Sequence, residues 1–110
     1  LKIIELREYK IKPGQTDKWL NWMREELLPY QRSKGMVIID TYLRTNDGTD
    51  FFVWLREFED EASRKRIYED TYNDWWITNI RPKVFTLIEE ESISIKLLRP
   101  VVERSRYAAE

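Results

Sequence analysis

The stretch MVIIDTYLRTNDGTDFFVWLREF, residues 36–58, is the clearest structural signal in the chain. Two runs rich in β-branched and aromatic side chains flank Asn46, Asp47 and Gly48, and an Asp-Gly pair supplies the left-handed backbone conformations that a tight hairpin requires. MVIIDTYLRT (36–45) and FFVWLREF (51–58) are therefore read as antiparallel partners. Upstream, residues 2–10 form a first strand, which KPGQTD (12–17) ends: Pro13 and Gly14 turn the chain and Thr16 is placed to cap a helix. That helix is predicted over 17–34, because Trp19, Leu20, Trp22, Met23, Leu27 and Tyr30 share one stripe at 3.6-residue spacing. Pro29 should kink or restart it, and Gly35 should stop it. Downstream, Asp60 is placed to cap a second helical region over 61–84, broken near DTYND (70–74), with Trp76, Ile80 and Val84 on one face. SISIKLL (92–98) alternates strictly, and Pro100 ends it. The order strand, helix, strand, strand, helix, strand predicts an α+β, ferredoxin-like βαββαβ domain, an antiparallel four-stranded sheet with both helical regions on one face. Residues 1–102 are read as a single domain and 103–110 as a polar C-terminal tail.

Composition narrows the function classes. The 110 residues carry 19 basic and 20 acidic side chains, so there is no single-sign field to hold a polyanion, and nucleic acid is not an expected partner. No apolar run approaches the roughly 20 residues of a membrane span, so no membrane partner is expected and the chain is taken to be soluble and cytoplasmic. Histidine and cysteine are both absent, which removes the usual ligands of zinc, iron–sulfur clusters and haem as well as thiolate and Ser-His nucleophiles. No metal or cofactor is expected. Proton transfer is left to carboxylates, tyrosine and lysine.

Sorting the strands by parity gives two sets. One is oily: Ile4, Leu6, Val37, Ile39, Leu43, Val53, Leu55, Ile93, Ile95 and Leu97. The other holds Glu5, Arg7 and Tyr9, then Asp40, Tyr42 and Arg44, then Trp54, Arg56 and Phe58, and Ser92, Ser94 and Lys96. Two helical regions cover only one side of such a sheet, and a second copy of the chain is the expected cover for the oily side. In the mixed set, arginines among aromatics with Glu5 and Asp40 as candidate bases make up a small polar cavity for an anionic ligand. Glu26 falls in the apolar stripe of the first helix, where it is expected to pair with a sheet arginine such as Arg56 or to act as a base.

IELREYKIKPGQTDKWL (4–20), ELLPYQRSKG (26–35), FEDEASR (58–64), DTYNDWW (70–76) and LLRP (97–100), in this order along nearly the whole chain, resemble the NIPSNAP domain. The resemblance implies a dimeric alpha+beta barrel, a homodimer whose sheets face each other. In the monooxygenase relatives the site lies between the sheet and its own helices, lined by a polar residue on strand one and a Trp late in strand three; Arg7 and Phe58 are similar in position to those two. The haem-degrading relatives use a histidine in the second helical region, where this chain reads RKRIYED (64–70). What the resemblance implies is therefore a small-molecule protein without haem, of the kind that includes cofactor-independent isomerases and monooxygenases.

The rival readings are a non-catalytic structural or ligand-binding homodimer and an RNA-recognition domain. DFFVWL (50–55) fits the aromatic strand of the latter, but strand one offers no exposed aromatic partner and the net charge is −1. IEEESIS (88–94) is read as a solvated approach to the last strand, not as a cation site.

Overall fold

The computed structural model describes residues 1–101, and the tail assigned to 103–110 lies outside them. Strand β1 spans Ile3–Lys10, β2 Val37–Asn46, β3 Thr49–Phe58 and β4 Ser94–Leu98. They form one antiparallel sheet in the order β2-β3-β1-β4. The hairpin turns as its sequence demands: Asp47 and Gly48 both take positive φ, at 50° and 74°, which keeps the strands in register from Asn46 opposite Thr49.

The first helical region begins with α1 (Thr16–Trp22), widens into a π-helical stretch at Met23–Leu27 and continues as α2 (Leu28–Ser33). The Leu28 N–H reaches the Met23 carbonyl, five residues back. The change of ladder comes immediately before Pro29, which lacks an N–H to continue it and sits in the first turn of α2, where the loss matters least. Gly35, at φ 98°, then ends the region. Thr16 does not cap: it is the first helical residue, and its hydroxyl donates to Asp50 at 2.7 Å. Asp60 does cap, accepting from the Ser63 N–H at 2.7 Å at the start of α3 (Glu61–Thr71). The predicted break follows, with Asn73 capping α4 (Asp74–Asn79) through the Trp76 N–H, and Pro82 opening α5 (Arg81–Leu87). No helix among the described residues is long and apolar enough to cross a membrane.

Among the described residues the five α-helices pack on one face of the sheet, and the core lies between. Trp19, Phe52, Trp54 and Ile88 are essentially inaccessible there. Two strands present faces other than those their alternation predicts. In β2 the register shifts between Ile38 and Asp40, so Ile39 is the extra residue of a bulge and every later side chain changes side. Asp40 stands opposite Leu55 and Tyr42 opposite Val53, on the open face, and Leu43 moves to the helix side opposite Phe52. In β4 the apolar parity also turns to the helices: Ile95 pairs with Arg7 and Leu97 with Glu5, leaving Lys96 beside Leu6 on the open face. Ile93, just before β4, packs against the core. The open face thus has an apolar centre of Ile4, Leu6, Val53 and Leu55, but it also carries Glu8, Lys10, Asp40, Arg44, Glu57 and Lys96.

Candidate functional site

The centre of the helix-covered face is built around one carboxylate. Glu5 on β1 and Arg56 on β3 are cross-strand partners, and both side chains are fully buried. Arg56 donates to Glu5 Oε1 through Nε at 3.1 Å and also through Nη2. Tyr68 from α3 donates to Glu5 Oε2, which also accepts from Arg64 Nε at 3.1 Å. Arg7 Nη1 stands 3.5 Å from Glu5 Oε1. Three guanidiniums therefore meet a single carboxylate. Arg56 spends its remaining donors on Gln31 Oε1 at 2.9 Å and on the hydroxyls of Tyr72 and Tyr68 at 2.7 and 2.8 Å, with its Cζ 4.8 Å from the centroid of the Trp54 ring.

These contacts fix the protonation states. Burial would raise the Glu5 carboxyl, but Arg56, the Tyr68 hydroxyl and Arg7 together outweigh it and hold its pKa below the usual carboxylate value. Burial pushes the Tyr68 phenol up to about 12, against the opposing pull of Arg56 and Arg7 and with the help of Glu5. Burial likewise raises Tyr9. Near neutrality both tyrosines keep their protons, Tyr68 as a donor to Glu5 and Tyr9 as the acceptor from Trp54, and Glu5 is an anion whose two oxygens are already engaged by donors.

Beside the network, between the sheet and the helices, lies a cavity of about 120 Å³. Arg7, Tyr9 and Trp54 line its sheet side, Trp19, Met23 and Leu27 one helical wall, and Tyr72 and Trp76 another. Met23 and Leu27 are the two ends of the π stretch, so the local widening of the helix shapes this wall. The Arg7 side chain is 11% exposed, and its Nε has no hydrogen-bond partner. The indole N–H of Trp19 is also buried without one. Trp54 Nε1 donates to the Tyr9 hydroxyl at 3.1 Å. Unpartnered buried donors are uncommon, and here two of them belong to residues lining one cavity.

Of the residues singled out from the sequence, Arg7, Tyr9 and Trp54 line the cavity, and Glu5 and Arg56 form the network that holds Arg7. Phe58 is buried but lies off the cavity, 6.1 Å from the Tyr68 ring. Asp40 and Tyr42 are on the opposite face, hydrogen-bonded to each other at 3.0 Å, because the bulge in β2 reverses their parity. Glu26 does not reach Arg56: it is exposed and accepts from Trp22 Nε1 at 2.6 Å. The π turn has more residues per turn than the assumed 3.6, which keeps Met23 and Leu27 inward and rotates Glu26 out. Tyr68, Tyr72, Gln31 and Arg64 were not foreseen. Their sequence signal is faint, since only Tyr68 and Tyr72 share the i,i+4 spacing that puts two phenols on one helix face.

No family model and no curated protein matches the sequence. Solved structures do match in fold. A NIPSNAP family protein from Agrobacterium tumefaciens superposes with a TM-score of 0.80 at 21% identity, covering 92% of this chain and 94% of that one. An uncharacterized NIPSNAP domain protein from Burkholderia xenovorans gives 0.78 at 17% identity, with 91% and 95% covered. A second Agrobacterium tumefaciens NIPSNAP family protein, described as of unknown function, gives 0.74 at 21% identity, with 90% and 87% covered.

Proposed function

We propose, from the fold shared with these NIPSNAP family structures, that the protein binds a compact organic monoanion, a planar carboxylate or an enolate, in the cavity between its sheet and helices. The observation that carries this reading is Arg7. Its charge is nearly buried and its Nε is unpartnered, while Glu5, the carboxylate it meets, is already shared with Arg56, Arg64 and Tyr68. Buried positive charge in excess of its protein partners favours a bound anion. A guanidinium meets a carboxylate through parallel hydrogen bonds, and the Tyr9 and Tyr72 hydroxyls border the same space. The volume sets the size: it is close to the ~150 Å³ that holds a benzene ring and well below the ~300 Å³ typical of drug-sized sites.

Binding and stabilisation of the anion are favoured over proton abstraction by the protein. Among the described residues lining the cavity there is no carboxylate or lysine to serve as a base, and Glu5 is saturated. Isomerase or monooxygenase chemistry would therefore require a substrate acidic enough to form its own enolate or phenolate, held by Arg7 and the phenols.

A homodimer closed through the open sheet face belongs to the same proposal. That face pairs an apolar centre with three cations, Lys10, Arg44 and Lys96, and three carboxylates, Glu8, Asp40 and Glu57, a balance that a two-fold copy can match. The binding test is calorimetric titration with benzoate and its neutral analogue benzamide at pH 7. Benzoate should bind and benzamide should bind far more weakly, and Arg7→Met should abolish the benzoate signal while leaving the fold intact by circular dichroism. Equal binding of benzoate to wild type and Arg7→Met would overturn the role assigned to Arg7, and binding to neither favours the non-catalytic structural dimer with a hydrated cavity.

A further inference from the structure

The cavity's opening carries its own charge pair. Of the described residues that line it, Arg81 alone is exposed, which places the opening at the start of α5. Its guanidinium lies 5.1 Å from the ring centroid of Phe85, another lining residue, and its Nη2 stands 3.3 Å from Glu90 Oε2. Glu90 sits on the short 3₁₀ turn Glu90–Ser92, and that turn is tied to β1. The Glu89 N–H donates to the Lys10 carbonyl at 3.0 Å, and the Lys10 N–H donates to Ser92 Oγ at 2.9 Å. The two sides of the opening therefore differ. Glu90 rides on an anchored turn, whereas Arg81 is a long side chain, half exposed, held by a single weak ion pair.

We propose that Arg81 and Glu90 form the entry gate of the cavity and set the rate at which anions enter it. This rests on reading the cavity as a site for a planar monoanion. An arriving carboxylate exchanges with Glu90 on Arg81 and then passes inward to Arg7, with Phe85 and Ile93 as the apolar walls of the entrance. Glu90 competes for the same guanidinium, so it slows anion entry and keeps Arg81 paired when no ligand is present. Because the exchange takes place near the surface, the pair acts on the rate of entry more than on the rate of escape from Arg7.

The test is stopped-flow binding of benzoate, read by tryptophan fluorescence, since Trp19, Trp54 and Trp76 all line the cavity. At low ionic strength Glu90→Gln should raise the association rate about threefold or more, and Arg81→Gln should lower it by a similar factor. The double variant should behave as Arg81→Gln, dissociation rates should change little, and 0.5 M salt should erase the differences. Association rates unchanged in both single variants, with binding still lost in Arg7→Met, would overturn the gate and leave the anion site standing. An absence of benzoate binding in wild type removes both.

Discussion

Glu5 and Glu8 stand three residues apart on β1, and each meets an arginine from another strand, yet the two pairs are physically different objects. Glu5 and Arg56 face the helices, have no solvent access and require a full shell of partners from α2 and α3. Glu8 and Arg44 face away from the helices. Arg44 reaches Glu8 across the Phe51 ring, 4.1 Å from its centroid, with 49% of the arginine and 27% of the glutamate side chain still accessible. Burial raises the cost of each unpaired charge, so the covered face tolerates a carboxylate only inside a network, whereas the open face tolerates a simple pair.

The largest effect that separates them should come from Glu5→Gln. It leaves Arg56 and Arg7 without their shared anion and should cost about 3–5 kcal/mol in urea denaturation; a loss under about 1 kcal/mol would erase the distinction between the faces. The same carboxylate shapes the acid limb. Its folded pKa is lowered, so its contribution is present above the unfolded value of ~4.3 and disappears as pH falls through the folded one. Relative to wild type, the variant should therefore lose less stability in acid.

Leu55→Lys tests the open face next. Leu55 lies at the apolar centre, opposite Leu6 and Asp40. If a second copy covers this face, the lysine should turn dimers into monomers or insoluble protein, at a cost of about 2 kcal/mol or more. Sedimentation that finds folded wild-type monomer at micromolar concentration would refute the dimer.

Tyr68→Phe removes one donor from Glu5 and should cost about 1–3 kcal/mol. Its folded pKa is raised, so the phenol's contribution is present below its unfolded pKa of 10.0 and is lost as pH rises toward about 12. The alkaline limb of a stability profile should flatten in the variant. The smallest effect belongs to Glu8 and Arg44: a double-mutant cycle to alanine should return a coupling of about 0.2–1 kcal/mol that fades in salt. A coupling as large as that of Glu5 and Arg56 would mean that the open face is covered as tightly as the other.

Much of the site was legible and part of it was not, for local reasons. Arg7, Tyr9 and Trp54 could be placed in a cavity because β1 and β3 are regular central strands whose parity runs unbroken from end to end. Asp40 and Tyr42 could not, because the bulge at Ile39 leaves the run of residue types untouched while it reverses every later side chain. Glu26 was misplaced for the equivalent reason in a helix, where the π turn changes the angular spacing that a 3.6-residue stripe assumes. In β4 the alternation holds from Ser94, two residues later than the sequence pattern suggests, and alternation alone does not say which parity meets the helices.

The amino-acid run is enough to reach the hairpin at Asp47 and Gly48, the cap at Asp60, the restart at Pro29, the stop at Gly35 and the βαββαβ order. The turn, cap and stops depend on one residue's own backbone preference or side chain, and the order depends on the periodicity of the runs between them. The tertiary structure alone decided that one carboxylate would serve three arginines, that Tyr68 and Tyr72 would complete their shell, and that Arg7 would be left with an unpartnered Nε beside a cavity. Those outcomes depend on which side chains from distant segments share a buried volume. Which donors in that volume find an acceptor and which, like Arg7 Nε, do not is set by packing in three dimensions and by no local run of residues.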